Sequence, residues 1–249
     1  MAEFIDVPCV RGVSLRIEIH KVLYHARSKY QDIAIYETEL FGKCLFLDGV
    51  IQCAESDHEV YDRALLERLR LGEKKLLILG GGDGYTAATA LSINPNLKIT
   101  LVDIDRNVVR SCQQHLGQKI YYDPRVDLVI ENAISFIHRT KDRDYDGVVC
   151  DFTEVPLAQE EVQFKEFFQA LLSHSARVLR REGWIGFYAG CEAIPLFRHP
   201  RAAETLKDML QKAFINICHS DVLIPSFGES CFFYFAQKPA FLNSDRSGQ

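Results

Sequence analysis

From Lys75 an apolar run over residues 76–79 ends in Gly80, Gly81 and Gly82, followed by Asp83 and a fourth glycine, Gly84; an alanine-rich helical pattern opens at Tyr85. No other stretch narrows the fold so far. It reads as strand, tight turn and helix start, the opening of an open α/β nucleotide site, where ligands lie beyond the carboxyl ends of parallel strands. Glycines allow close backbone approach and turns with positive φ. The spacing is not the G-x-G-x-x-G of dinucleotide sites, and no Lys-Ser/Thr follows as a phosphate loop requires. Asp83 instead places a carboxylate inside the loop, where a bound phosphate would meet a fixed negative charge at short range. The loop therefore fits a nucleoside with a cationic tail better than a phosphorylated one.

Around this loop the hydrophobic pattern divides the chain in two. Residues 13–19 and 33–38 alternate apolar and polar side chains as half-buried strands do. Turns at Gly42 and at Asp48-Gly49 bracket two further short strands, 44–47 and 50–52. A helical pattern covers 57–71, and from Lys75 strands alternate with helices. Strands are expected at 97–104, 126–130, 147–151, 183–189, 218–224 and 231–237, with helices at 107–116, 133–139, 164–179 and 202–214. Alternation of this kind gives a parallel sheet wound by right-handed crossovers. The expectation is an α/β chain: a Rossmann-like, methyltransferase-type doubly wound sheet over 55–242, preceded by a small antiparallel β domain over 1–54 and followed by a frayed tail, 243–249. A small exposed sheet of this kind pairs readily with a second copy, so a homodimer through the N-terminal β domain is expected.

Composition excludes several classes. A length of 249 residues suffices for a substantial core, and a net charge of −5 argues against nucleic acid as a partner. No run is long and apolar enough for a membrane span, and no cleavable apolar leader opens the chain. The eight cysteines are scattered without a C-x-x-C pair, which reads as free thiols in a reducing compartment, the cytoplasm. His58 has no His or Cys partner at ligand spacing, so no metal site is expected.

Three strands after the glycine loop end in polar groups: Asp103, Glu131-Asn132 and Asp151. An acid about 20 residues past the glycine turn is placed to accept both ribose hydroxyls, and Asp103 fits. The Asn132 amide offers donor and acceptor to an adenine edge. Each could equally cap a helix; the three together beside Asp83 favour an adenosine site. Asp151 and Glu154 place two carboxylates just past the central strand, where a reacting group would lie. A second acidic cluster, Glu55 to Asp62, read by itself is a solvated helix start favourable to the helix dipole.

These stretches resemble the aminopropyltransferases, the spermidine and spermine synthases. Residues 28–33 are similar to that family's S-x-Y-Q-D-I segment, 47–52 to its L-D-G-V-I-Q strand, and 80–84 to its G-G-G-D-G loop. Asp151-Phe152-Thr153-Glu154-Val155-Pro156 resembles the spermine-type D-L-T-A-V-P, and residues 225–229 the spermine-type P-S-Y-L-E. The resemblance implies no cofactor beyond a co-substrate, decarboxylated S-adenosylmethionine, and a polyamine acceptor. It implies donor contacts from Gln52, Gly80, Gly82, Asp83, Asp103, Ile104, Asn132, Ala133, Asp151 and Phe152. Asp151 would be the central catalytic acid and Tyr61 would orient the amine; Asp57, Tyr61, Asp62, Glu154 and Glu229 would hold the acceptor. The chain departs from the family pattern at Asn132 (usually Asp), Tyr85 (usually Gly), Ala189 (usually Gln) and Asp62 (usually His or Gln).

The implied chemistry is aminopropyl transfer to putrescine or spermidine, giving spermidine or spermine/thermospermine with release of 5′-methylthioadenosine. Two other readings share the fold: a methyltransferase using intact S-adenosylmethionine, and an inert nucleoside-binding relative. Asp83 weighs against the first, because the donor carboxylate would sit against it.

Overall fold

The computed structural model describes residues 3–8, 13–152, 161–191 and 202–240. Its first sheet is wholly antiparallel, β1 (Glu3–Pro8), β2 (Ser14–Arg27), β3 (Asp32–Thr38), β4 (Gly42–Leu47) and β5 (Val50–Ala54), in that spatial order. The β4–β5 turn places Asp48 at φ 47° and Gly49 at φ 80°. Two consecutive left-handed residues match the right-handed twist of a tight hairpin. β2 runs well past the expected residue 19, because it pairs with β3 through two register shifts as far as Arg27.

The second sheet holds β6 (Lys75–Gly80), β7 (Lys98–Asp103), β8 (Val126–Ile130), β9 (Tyr145–Asp151), β10 (Leu179–Cys191), β11 (Ile215–Ile224) and β12 (Glu229–Gln237). Their spatial order is β11-β12-β10-β9-β6-β7-β8. The five strands β6 to β10 pair in parallel, and β12 joins β10 and β11 antiparallel. This is the doubly wound, methyltransferase-type sheet with its closing antiparallel pair.

Alternation along β6 shows why helices cover both faces. Leu76 and Ile78 enter a core with Ala87 and Ala90 of α2 (Tyr85–Ile93), beneath α1 (His58–Leu65). Leu77 and Leu79 enter the opposite core with Ile137 of α4 (Ala133–Arg139) and with Phe168 and Leu171 of α5 (Glu161–Val178). All four β6 side chains are fully buried, as a strand covered on two faces requires. α6 (Ala202–Ala213) adds Leu210 to the second core. The small sheet packs Ile33, Ile35 and Leu45 against Val108 of α3 (Arg106–Ser111) and Cys112 beyond it.

Two helices differ from expectation. The pattern over 57–71 forms a helix only to Leu65. Beyond it the Asn94 side-chain amide donates to the carbonyls of Arg70 and Glu73 at 3.0 and 2.8 Å, folding the chain back across the end of α2 before β6. The pattern over 107–116 widens after Ser111 into a π turn, Cys112–Leu116, closed by Gly117 at φ 72°. Among the described residues six cysteines are free thiols, all but Cys218 buried, and no helix is long and apolar enough to cross a membrane.

Candidate active site

The crossovers leaving β6 and β9 run to opposite sides, so a crevice opens between the carboxyl ends of these neighbours, as at other switch points. The register pairs Gly80 directly with Asp151, and the Gly81 amide donates to the Asp151 carbonyl at 3.1 Å. Gly80 has φ 87°, and a methyl group there would overlap that carbonyl oxygen. Gly82 faces the Asp103 carboxylate so closely that any Cβ would collide with it. The glycines are thus demanded first by two neighbouring strands, not only by a ligand.

A cavity of about 280 Å³ fills the crevice. The loop and α2 supply Gly80, Gly82, Asp83, Tyr85 and Thr86; β7 supplies Asp103, with Ile104 next to it; β9 supplies Asp151, with Phe152 beyond. Asn132 and Ala133 come from the start of α4, Gln52 from β5, and Asp57, His58, Tyr61 and Asp62 from the start of α1. Five aspartates line this space, and among the described residues its lining includes no Lys or Arg.

The carboxylates are held individually. Asp151 Oδ1 accepts from the Tyr61 hydroxyl at 2.7 Å and Oδ2 from the Thr86 hydroxyl at 3.0 Å. Burial raises the Asp151 carboxyl from 3.8 to about 6, opposed by the Tyr61 hydrogen bond and helped by the charge of Asp62. Burial, together with the Asp151 charge, pushes Tyr61 well above its ordinary value, so it stays a hydrogen-bond donor. Asp83 accepts the Tyr85 amide at 2.8 Å; burial, then the charges of Asp151 and Asp62, raise its carboxyl well above the usual range. Asp103 accepts the Asp105 amide at 2.7 Å and is raised to about 6, mainly by burial. Clustering of carboxyls with raised proton affinity is what a site awaiting cations displays.

The S-x-Y-Q-D-I segment ties the small sheet to this site. Ser28 Oγ donates to Asp105 Oδ2 at 2.5 Å and Gln31 Nε2 donates to the same oxygen at 3.3 Å, while Asp105 Oδ1 caps α3 through the Asn107 amide. Tyr30 and Gln31 thereby reach the cavity wall.

The Glu55–Asp62 cluster is not the solvated helix start that its composition indicates. Asp57 and Asp62 are only 6% and 2% exposed, although Glu55 and Glu59 do face solvent. Asp57 accepts the Ser226 amide at 2.7 Å and the Ser226 hydroxyl at 3.0 Å, fastening the β11–β12 connection over the site. Asp62 accepts Thr86 at 2.9 Å on one oxygen and Thr89 at 2.9 Å on the other, where His58 Nδ1 also lies at 2.9 Å. Asn132 caps α4 through the Ser135 amide at 3.1 Å and also lines the cavity. Glu229 is buried at the start of β12 and does not line the cavity. Glu154 lies outside the described residues.

Sequence reasoning missed Thr86, Thr89 and Ser226 as partners of these acids. The spacing of Thr86 and Thr89 on the buried face of α2 was the available signal, since a hydroxyl inside an apolar helix face needs an acceptor. Tyr188 was missed as well. It packs on Tyr61 with ring centroids 5.5 Å apart, beside Phe227 at 6.0 Å.

Residues 43–246 match the family model described as spermine/spermidine synthase domain, and residues 2–55 match that described as spermidine synthase tetramerisation domain. The chain belongs to the spermine/spermidine synthase family. It is accordingly an aminopropyltransferase. It is 34% identical over 226 residues to polyamine aminopropyltransferase 1 of Hyperthermus butylicus, covering 88% of this chain and 75% of that protein. It is 30% identical over 235 residues to the polyamine aminopropyltransferase of Serratia proteamaculans, covering 91% of this chain and 79% of that one. The fold superposes on spermidine synthase from Thermotoga maritima with a TM-score of 0.78 at 24% identity, covering 96% of this chain and 80% of that one. A spermidine synthase in complex with the transition-state analogue AdoDATO gives 0.80 at 24% identity, covering 98% and 83%.

Proposed function

We propose that this chain transfers the aminopropyl group of decarboxylated S-adenosylmethionine to a polyamine, putrescine or spermidine, and releases 5′-methylthioadenosine. The observation that carries the proposal is the cavity wall: five aspartates and, among the described residues, no Lys or Arg, at the carboxyl ends of the parallel strands. Asp103 and Ile104 receive the ribose, Asn132 and Ala133 the adenine, and Gln52 and Asp83 the aminopropyl ammonium. The Asp83 carboxylate attracts that ammonium and repels the carboxylate of intact S-adenosylmethionine, so methyl transfer is disfavoured.

In the reaction the acceptor nitrogen attacks the carbon beside the sulfonium; a nitrogen–carbon bond forms as the carbon–sulfur bond breaks. The sulfonium is already a good leaving group, and alignment of nitrogen, carbon and sulfur is the main task. The nitrogen must first lose a proton held at a pKa of about 10.4 in a free alkylamine. Asp151 takes it. Raising that carboxyl from 3.8 to about 6 makes the transfer easier by about 3 kcal/mol. Tyr61 fixes one carboxylate oxygen and, with Phe227 and Tyr188, offers ring faces to the acceptor's cationic chain. Glu154 and Glu229 remain proposed acceptor contacts. Asp57 and Asp62 border the cavity with carboxylates already engaged by protein donors, and this favours a smaller share of acceptor binding for them.

The N-terminal sheet leaves Phe4 and Val22 about half exposed, and we read it as the surface through which two copies associate. A monomer in sedimentation at micromolar concentration would remove that reading. The experiment for the function itself is incubation of the protein and decarboxylated donor with putrescine, spermidine and other diamines in turn. The expected result is equimolar methylthioadenosine and a single lengthened amine. Absence of methylthioadenosine with every amine contradicts it.

A further inference from the structure

Given the proposed aminopropyl transfer, on which this inference rests, each turnover delivers one proton from the acceptor ammonium to Asp151, and that proton must return to water before the next cycle. Asp151 is walled by Tyr61 on one oxygen and Thr86 on the other. The Thr86 hydroxyl also touches a second carboxylate, Asp62, at 2.9 Å. A hydroxyl owns one hydrogen, so it can donate to only one of the two acids at a time. The other contact is satisfied when that acid carries a proton of its own. The arrangement therefore accommodates one mobile proton across Asp151, Thr86 and Asp62.

Asp62 leads onward. Its second oxygen lies 2.9 Å from His58 Nδ1 in an (i, i+4) pair, and the His58 side chain is 25% exposed against 2% for Asp62. Tyr85 stacks on the imidazole with ring centroids 3.8 Å apart and planes 17° from parallel, which fixes the ring edge towards Asp62. Asp62 and Tyr85 thus both converge on this imidazole.

We infer that Thr86, Asp62 and His58 form a proton relay leading from Asp151 to solvent. The proton on Asp151 Oδ2 passes to the Thr86 oxygen as the hydroxyl's own proton passes to Asp62 Oδ1. A half-turn of the Asp62 carboxyl, whose terminal torsion is broad and two-fold, turns that proton towards His58 Nδ1. A His58 carrying its hydrogen on Nε2 accepts it, and the resulting imidazolium releases the Nε2 proton to water. Exchange with water returns the hydrogen to Nε2. Asp151 and Asp62 end as carboxylates, His58 ends neutral, and one proton has left the site. Thr89, which also donates to Asp62, steadies the carboxyl and moves no proton.

A purely structural role, with Asp62 only fastening α1 to α2, gives a different outcome, and steady-state kinetics with the accepted amine separates the two. His58→Gln keeps a polar side chain at the helix surface and removes the proton carrier. In this variant kcat is expected to fall about tenfold with KM for the decarboxylated donor within about twofold, because the step lost follows binding. Added imidazole is expected to restore kcat saturably. Asp62→Asn interrupts the relay upstream, so its kcat falls and imidazole does not restore it. An unchanged kcat in His58→Gln, a loss that imidazole leaves in place, or equal rescue of both variants overturns the relay. If Asp62→Asn does not fold, His58→Gln decides alone. A wild-type protein that releases no methylthioadenosine with any amine sinks the underlying reading and the relay with it; an active wild type with an unaffected His58→Gln sinks the relay only.

Discussion

Tyr61 on α1 and Asp151 at the end of β9 are 90 residues apart, yet the Tyr61 hydroxyl donates to Asp151 Oδ1 at 2.7 Å. This bond joins the segment following the small sheet to the centre of the large one. Asp151→Asn is expected to lower kcat roughly a hundred- to ten-thousand-fold, the span of a lost general base, while methylthioadenosine binding in calorimetry changes little. Tyr61→Phe should cost less and move the acidic limb of the activity profile to higher pH, because the Tyr61 bond holds Asp151 down. Near-normal turnover of Asp151→Asn would reject the base role.

Activity should depend on pH through the same carboxyl. Asp151 must be ionised to accept a proton, so kcat should fall as pH drops through about 6. Stability should move the opposite way. Asp151 and Asp103 both have native values of about 6 against 3.8, so between these limits the folded chain binds protons that the unfolded chain has released. Their contribution is present at low pH and is lost as pH rises through about 6, by about 2–3 kcal/mol for each group. Thermal melts of the ligand-free protein between about pH 4 and pH 7 check the sign of this contribution, with Asp103→Asn flattening the slope.

Gly82→Ala places a methyl group against the Asp103 carboxylate. The carboxylate can give way only by leaving the position proposed for the ribose. Methylthioadenosine affinity should fall at least about tenfold, about 1.4 kcal/mol, with the circular dichroism spectrum kept. Unchanged affinity would mean that Asp103 does not hold the ribose.

Much of the architecture could be read from the chain because its causes are local. Residues 126–130 and 133–139 form the expected strand and helix to the residue, since an apolar run and an Asn cap are near-neighbour signals. The β6 loop showed both its strand and its turn. What could not be read arises from contacts distant in sequence. The burial of Asp57 depends on Ser226, 169 positions away, and that of Asp62 on Thr86 and Thr89 of another helix. A carboxylate at a helix start looks alike whether it faces water or a hidden hydroxyl. The path of the chain after α1 is likewise held from a distance, by an Asn94 side chain that bonds the Arg70 and Glu73 carbonyls.

Asp57→Ala removes the acceptor of the buried Ser226 amide and hydroxyl. Leaving such groups unpaired costs about 1–3 kcal/mol, a melting-temperature decrease of several degrees. Chemical denaturation is the direct check, and Asp57→Asn should recover part of the loss. No change in midpoint would show that the Ser226 connection contributes nothing to stability.

The central claim is that a cavity walled by acids accepts a nucleoside whose tail is purely cationic. Isothermal titration of the wild-type protein with decarboxylated and with intact S-adenosylmethionine measures this directly. The decarboxylated compound should bind at least about tenfold more tightly, and Asp83→Asn should narrow the gap. Equal affinity for the two, or a preference for the intact compound, would contradict the account.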